Sequence, residues 1–169
     1  MKKLILSFLV LWNFLFASSG ELKVGELAPD FSLSDQDGNV QTLSAYRGQK
    51  VVVYFYPKDD TPGCTKEACS IRDDFTMFQD ARIIVFGISY DDAESHREFQ
   101  AKYHLPFILL SDTDKSVSKS YESQGMFFAS RKTFLIDENG ILVKIYENVD
   151  VSTHGKDIIA AFAELDLKK

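Results

Sequence analysis

The chain has 169 residues, which suits one domain, and a formal net charge of −6. Its 45% hydrophobic and 13% aromatic content excludes a disordered polymer. An acidic chain without a basic run does not suit nucleic acids or anionic membrane surfaces, and a domain of this size folds without a disulfide.

The N-terminal segment has the layout of a secretory signal peptide. Two lysines precede an apolar run at residues 4–16, and small residues before Gly20 offer a cleavage site. The run is shorter than the about 17–25 apolar residues of a spanning helix, although an uncleaved anchor is the alternative interpretation. We therefore expect a signal peptide at 1–19 and a domain at 20–169 that is exported to the bacterial periplasm. We expect no membrane binding by the mature chain.

The predicted elements begin with a β-hairpin. Alternating polar and apolar residues at 30–34 and 40–43 flank the turn cluster DQDGN. Residues 51–56 (VVVYFY) are β-branched and aromatic without alternation, which is typical of a central strand covered on both faces. After a loop of prolines, aspartates and a glycine, the pattern changes at Cys64 to that of a helix, which we expect to reach about Gln79.

The rest of the chain alternates strands with helices and ends in a hairpin and a helix. The expected elements are strands at 82–89 and 106–110, helices at 92–103 and 115–122, a hairpin of 132–136 and 141–145 around DENG, and a last helix at 153–165, capped by Ser152 or Thr153. This order predicts a mixed α/β sheet with helices on both faces. It matches the thioredoxin-like architecture with an added N-terminal β-hairpin.

Both cysteines lie in the stretch YPKDDTPGCTKEAC at residues 56–69. A strand that enters a helix at Cys64 places that sulfur at the helix N-terminus. Unpartnered N–H groups and the helix dipole favour a thiolate there, and the thiolate is the reactive form of cysteine. Cys69 projects about 140° away from Cys64 on the same helix. A structural disulfide or a buried free thiol is the alternative to a reactive Cys64.

The loop before Cys64 has features of a small, stiff pocket. Thr61 precedes the sulfur by three residues, so its hydroxyl can donate to the thiolate or to a bound oxygen. Pro57 and Pro62 fix φ and stiffen the loop.

The stretches YPKDDTPGCTKEACSIRD and RKTFLIDENG resemble the bacterioferritin-comigratory-protein (PrxQ-like) subfamily of peroxiredoxins, over about residues 22–165. The resemblance implies a thiol-dependent peroxidase that reduces hydrogen peroxide and organic hydroperoxides without metal, haem or flavin. Ser70 and Ile71 depart from the acidic and aromatic residues that this resemblance leads us to expect. The export signal is a larger departure, because many relatives look cytoplasmic.

The resemblance also implies roles for individual residues. Cys64 matches the peroxidatic cysteine, and Cys69 matches the resolving cysteine that forms an intramolecular disulfide with it. Thr61 and Pro57 match the residues that hold the peroxide and shield the thiolate, and Arg131 matches the arginine beside the sulfur. Without the resemblance, Arg131 would be interpreted as a solvated charge. The implied reductant is thioredoxin or a thioredoxin-like dithiol, and a monomer is slightly favoured.

Several other functions are less consistent with the sequence. The three histidines have no metal-ligand spacing, and we expect His96, His104 and His154 to be surface or capping residues. Nothing supports a Cys-His hydrolase. An exported thiol-disulfide oxidoreductase of thioredoxin-like fold would use Cys-x-x-Cys, whereas the spacing here is Cys-x4-Cys. Such reductases resemble one another in a proline before the late hairpin, where this chain has Ala-Ser-Arg. A non-enzymatic binding module is the third option.

Overall fold

A seven-stranded mixed sheet forms the centre of the computed structural model, which describes residues 21–168. The strands in chain order are β1 (Ser32–Asp35), β2 (Val40–Thr42), β3 (Lys50–Phe55), β4 (Ile83–Ser89), β5 (Ile108–Ser111), β6 (Lys132–Ile136) and β7 (Leu142–Tyr146). In space their order is β2-β1-β5-β4-β3-β6-β7. The middle strands β5, β4 and β3 are parallel, and the two predicted hairpins pair antiparallel at the flanks.

Helices cover both faces of this sheet, as the sequence predicts. They are α1 (Pro62–Asp73), α2 (Phe75–Asp80), α3 (Ala93–Tyr103), α4 (Ser116–Ser120) and α5 (His154–Asp166), with a 3-10 turn at Leu43–Tyr46. The side chains of β3 alternate between two apolar cores. Val52 and Tyr54 pack with α1, α2, α3 and α5, whereas Val51, Val53 and Phe55 pack with α4 and the N-terminal lead-in. The prediction of a central strand covered on both faces is confirmed.

The predicted single helix from Cys64 to Gln79 is wrong at its C-terminal end. Asp74 has φ −99° and ψ 8°, which separates α1 from the short helix α2. Aspartate is a poor residue for a helix interior because its side chain competes for backbone groups. The apolar stripe still continues across the break, since Ile71 and Phe78 are both fully buried.

The N-terminus of α5 packs closely on the middle of α1. A Cβ on Gly155 would lie 2.4 Å from the Ser70 carbonyl oxygen, so only glycine permits this approach. The Gly155 N–H donates to Ser70 Oγ at 3.3 Å, and that hydroxyl donates to the Glu67 carbonyl at 2.9 Å. The start of α5 is therefore held against the segment of α1 that carries both cysteines.

Two of the three histidine predictions are wrong. His96 and His154 are buried, at 0% and 1% exposure, because α3 and α5 turn these side chains towards neighbouring elements. His104 is exposed and caps α3 in the left-handed conformation, with its N–H on the Gln100 carbonyl. Among residues 21–168, no three His, Cys, Asp or Glu side chains converge as potential metal ligands.

Two further predictions concern the N-cap of α5 and the N-terminal segment of the chain. Thr153 occupies the N-cap position of α5, but its hydroxyl donates to the Asp157 carboxylate instead of capping a backbone N–H. The predicted signal peptide at 1–19 lies outside the described residues. Within the described part of the chain, no helix has the length and apolar character needed to cross a bilayer.

Candidate active site

Helix α1 places Cys64 in its first turn. Thr61 is the N-cap residue in extended conformation, and the first helical hydrogen bond runs from the Thr65 N–H to the Thr61 carbonyl at 2.8 Å. The N–H groups of Gly63 and Cys64 precede that bond and have no acceptor within the helix. Cys64 is 2% exposed and carries a free thiol. The expected position of this sulfur at the positive end of a helix dipole is confirmed.

Sheet pairing brings Arg131 to Cys64, although 66 residues separate them in the sequence. Strand β6 pairs antiparallel with β3, with Lys132 opposite Phe55, so Arg131 lies beside the loop that leaves β3. Arg131 Nη2 donates to Cys64 Sγ at 3.2 Å. The guanidinium also lies close to Gly63, where an added Cβ would be 3.4 Å from Nη2. A cation therefore lies directly against the sulfur.

Glu67 is part of this cluster, and the sequence analysis missed it. Its side chain is fully buried one helical turn after Cys64, and its Oε2 accepts a hydrogen bond from Arg131 Nη1. Burial raises the pKa of Glu67 from 4.5 to about 7, against the opposing effect of Arg131. Glu67 thus favours the folded state below pH 4.5, and this contribution is lost as the pH rises through about 7. The sequence feature that could have indicated this role of Glu67 is its position next to the apolar stripe of α1.

His154 lies behind Glu67 and extends the cluster to α5. Its Nε2 is 2.9 Å from Thr133 Oγ1 and 3.8 Å from Glu67 Oε1. Burial lowers the pKa of His154 to about 4, so the imidazole is neutral near pH 7. Side chains from α1, β6 and α5 therefore meet behind the sulfur of Cys64.

Two carboxylates anchor the loop between β3 and α1 to α3. Asp59 is buried, and Asp60 adopts a positive φ of 54°. The partners of Asp59 are the Tyr56 hydroxyl, the Ser95 hydroxyl and His96 Nδ1, at 2.7, 2.8 and 2.8 Å. The partners of Asp60 are Lys102 Nζ and the Tyr103 hydroxyl, both at 2.6 Å. Sequence reasoning took these aspartates for turn residues and missed their role in fixing the loop.

The two remaining residues predicted to form the site are Thr61 and Pro57. The Thr61 hydroxyl donates to the Lys58 carbonyl at 3.0 Å. Its hydrogen is therefore not directed to Cys64, which differs from the prediction that it could donate to the thiolate. Its oxygen keeps lone pairs that can accept a hydrogen bond. Pro57 is half-buried at the start of the loop.

Cys69 lies elsewhere on α1. It is half-buried, and its thiol is free. Arg72 is its nearby cation: hydrogen bonding to Asp73 and, to a smaller extent, interaction with Cys69 raise the pKa of Arg72. Because α1 is continuous from Pro62 to Asp73, the structure does not bring the two cysteines together.

Comparison with known proteins identifies the family of this chain. A model of the AhpC/TSA family matches residues 24–145. The chain is 48% identical over 132 residues to a chloroplastic peroxiredoxin Q of Oryza sativa subsp. japonica, covering 76% of this chain but only 61% of that protein. It is 41% identical over 149 residues to a putative peroxiredoxin bcp of Coxiella burnetii, covering 82% and 97% of the two chains.

Solved structures show the same fold. A peroxiredoxin Q of Xylella fastidiosa superposes with a TM-score of 0.81 at 28% identity, covering 87% of this chain and 99% of that one. The bacterioferritin comigratory protein of Xanthomonas campestris gives 0.75 at 32% identity, covering 80% and 91%. The predicted thioredoxin-like fold and the resemblance to PrxQ-like proteins are confirmed. The chain belongs to the AhpC/TSA family of peroxiredoxins.

Proposed function

We propose that this chain is a thiol-dependent peroxidase in which Cys64 is the peroxidatic cysteine. The observation that supports this most strongly is the 3.2 Å contact between Cys64 Sγ and Arg131 Nη2 at the N-terminus of α1. The helix dipole and the guanidinium both favour the thiolate, which is the nucleophile that the reaction needs. Membership of a peroxiredoxin family favours this activity over an exported thiol-disulfide oxidoreductase.

The proposed reaction begins with attack of the Cys64 thiolate on one peroxide oxygen. A sulfur–oxygen bond forms, and the O–O bond breaks with its electron pair on the departing oxygen. That oxygen takes up a proton and leaves as water or an alcohol, and Cys64 becomes a sulfenic acid. Arg131 and the free N–H groups of Gly63 and Cys64 would stabilise the developing negative charge. Thr61 Oγ1 would accept the hydrogen bond of the peroxide hydroxyl, with Pro57 shielding the pocket.

We infer that organic hydroperoxides are substrates together with hydrogen peroxide. The loop that precedes Arg131 exposes three consecutive apolar side chains, Met126, Phe127 and Phe128, at 81%, 74% and 51% exposure. Apolar side chains that precede Arg131 in the chain would favour substrates with apolar substituents where they reach the bound peroxide. The Xanthomonas campestris relative is described as having alkyl peroxide reduction activity, which supports the same inference.

In the second step Cys69 would act as the resolving cysteine. Its thiol attacks the sulfenic sulfur, so that a disulfide forms and water leaves, and an external dithiol such as thioredoxin then reduces the disulfide. Residues five apart in a helix have Cα atoms about 8.6 Å apart by helix geometry, whereas a disulfide needs about 4.4–6.8 Å. Helix α1 must therefore unwind from Cys64 to about Ser70. Because both cysteines belong to one chain, a monomer suffices for the cycle.

The first test uses the two cysteine variants as a pair. Cys64→Ser should abolish peroxide turnover, and circular dichroism should show an intact fold. Without a reductant, Cys69→Ala should consume about one equivalent of peroxide for the sulfenic acid, or about two for the sulfinic acid, that accumulates on Cys64 and is measured by mass spectrometry. Turnover in Cys64→Ser would overturn the proposed function. Full turnover of Cys69→Ala with a dithiol donor would remove only the resolving role of Cys69.

The second test concerns the cation beside the sulfur. Arg131→Met should raise the pH midpoint of Cys64 alkylation by iodoacetamide and slow peroxide reduction by about 10²–10³-fold, the usual loss for one oxyanion donor. Arg131→Lys keeps the charge but not the forked geometry, so its loss should be smaller. Arg97→Met is the matched control, because Arg97 is an exposed residue of α3 whose guanidinium donates to the Gln36 carbonyl and not to Cys64. An unchanged midpoint in Arg131→Met would argue against a role for this arginine.

We also infer that residues 1–19 are a cleaved signal peptide and that the domain acts in the periplasm. The two lysines, the apolar run at 4–16 and the small residues before Gly20 support this inference. N-terminal sequencing of protein isolated from its host should therefore begin near Gly20. Recovery of the intact N-terminus in the cytosolic fraction would contradict export.

A further inference from the structure

Two buried polar side chains behind the Cys64–Arg131 contact have no role in the reaction proposed above. Glu67 and His154 are at 0% and 1% exposure. Glu67 uses Oε2 to hold Arg131, but its Oε1 is buried without a hydrogen-bond partner. An unsatisfied buried carboxylate oxygen is costly, so its surroundings call for an explanation.

The polar group that faces this oxygen is the imidazole of His154, with Nε2 at 3.8 Å. Two contacts fix the ring there, and the backbone of α5 brings it into place. Thr133 Oγ1 lies 2.9 Å from the same Nε2, and the ring of Tyr146 packs edge-on with a centroid distance of 5.6 Å. Gly155 permits the close approach of α5 to α1 that brings the imidazole to Glu67.

The other charged and titratable neighbours of this pair are few. Arg131 faces Glu67 from the sulfur side, and the Tyr54 hydroxyl of β3, which is also buried without a hydrogen-bond partner, interacts with it from the sheet. Asp157, on the same helix as His154, and Arg131 act on the imidazole with opposite signs. His154 Nε2 is the proton donor or acceptor that the structure places directly beside Oε1, at 3.8 Å.

We propose that His154 is a positioning residue for the reactive cysteine: it holds the Oε1 side of Glu67, so that Oε2 stays turned towards Arg131 and Arg131 stays against Cys64. The inference rests on the proposed roles of Cys64 and Arg131, and it adds a group on α5 that touches neither the sulfur nor the peroxide.

The arrangement works in both protonation states of Glu67, whose pKa of about 7 means that both are populated near neutral pH. When Glu67 is protonated, a proton on Oε1 faces Nε2 of the neutral imidazole, and Oε2 remains free to accept from Arg131. When Glu67 is ionised, an Nε2–H can donate to Oε1 once the 3.8 Å gap closes. In either state Nε2 offers one hydrogen or one lone pair, so Glu67 Oε1 shares it with Thr133 Oγ1, which lies 2.9 Å away. An apolar side chain at position 154 would leave Oε1 without a polar neighbour, and the carboxyl group could turn away from Arg131.

The test compares three substitutions at one position. A glutamine amide reaches the place of Nε2, an asparagine amide is too short to do so, and phenylalanine fills the space without a polar atom. We expect His154→Phe and His154→Asn to slow peroxide reduction at pH 7 about tenfold and to raise the pH midpoint of Cys64 alkylation. This loss is smaller than the roughly 10²–10³ for a directly contacting donor. His154→Gln should stay within about twofold of the unmodified chain.

Tyr146→Phe is the control for loosened packing of α5. It removes the hydrogen bond from the Tyr146 hydroxyl to the Asp157 carbonyl but keeps the ring against the imidazole. Its alkylation midpoint should match that of the unmodified chain. Thermal unfolding of every variant separates loss of stability from loss of positioning.

The results distinguish this inference from the proposed function. If His154→Phe retains the normal midpoint and rate, or if His154→Gln loses as much as His154→Asn, the positioning role is wrong while the peroxidase remains. If His154→Phe does not fold, the Gln and Asn variants decide the outcome. Peroxide turnover in Cys64→Ser would overturn both conclusions together.

Discussion

The antiparallel pairing of β6 with β3 is the constraint on which the candidate site depends. It carries Arg131 to the loop that leaves β3, where the first turn of α1 presents Cys64. The helix dipole and the arginine each have a limited effect alone, since a helix N-terminus carries only a partial positive charge and a solvent-exposed arginine is strongly screened. Together they place a dipole and a guanidinium against one buried sulfur, and Asp59 fixes the intervening loop to α3.

In the proposed cycle, helix α1 favours the thiolate of Cys64 but would obstruct its resolution by Cys69. While α1 is intact, Cys69 cannot reach Cys64, and the start of α5 packs on the segment that must unwind. If α1 unwinds slowly, Cys64 stays in its activated position and its sulfenic acid can react with a second peroxide to give sulfinic acid. If α1 unwinds easily, Cys69 can form the disulfide quickly, but Cys64 loses the helix dipole and the contact with Arg131. In the proposed cycle, the packing of α5 on Ser70 and Glu67 would set the balance between these outcomes.

Local patterns predicted the parts of the structure that depend on neighbours in sequence. The two hairpins, the buried strand β3 and the placement of Cys64 in a first helical turn all follow from turn residues and periodicity. The partners of Cys64 could not be predicted in this way, because burial of Glu67 and His154 depends on α1, β6 and α5 meeting in space. Arg131 was selected by family resemblance alone, for the same reason. The end of α1 at Asp73 was missed because apolar spacing continues through Asp74.

Amide hydrogen exchange tests most directly the proposed opening of α1 during the catalytic cycle. Exchange at residues 64–70 should be slow in the reduced protein and much faster after oxidation by one equivalent of peroxide, together with an intramolecular Cys64–Cys69 disulfide found by peptide mapping. Equal protection of residues 64–70 in the two states, or a disulfide that joins two chains, would contradict the account.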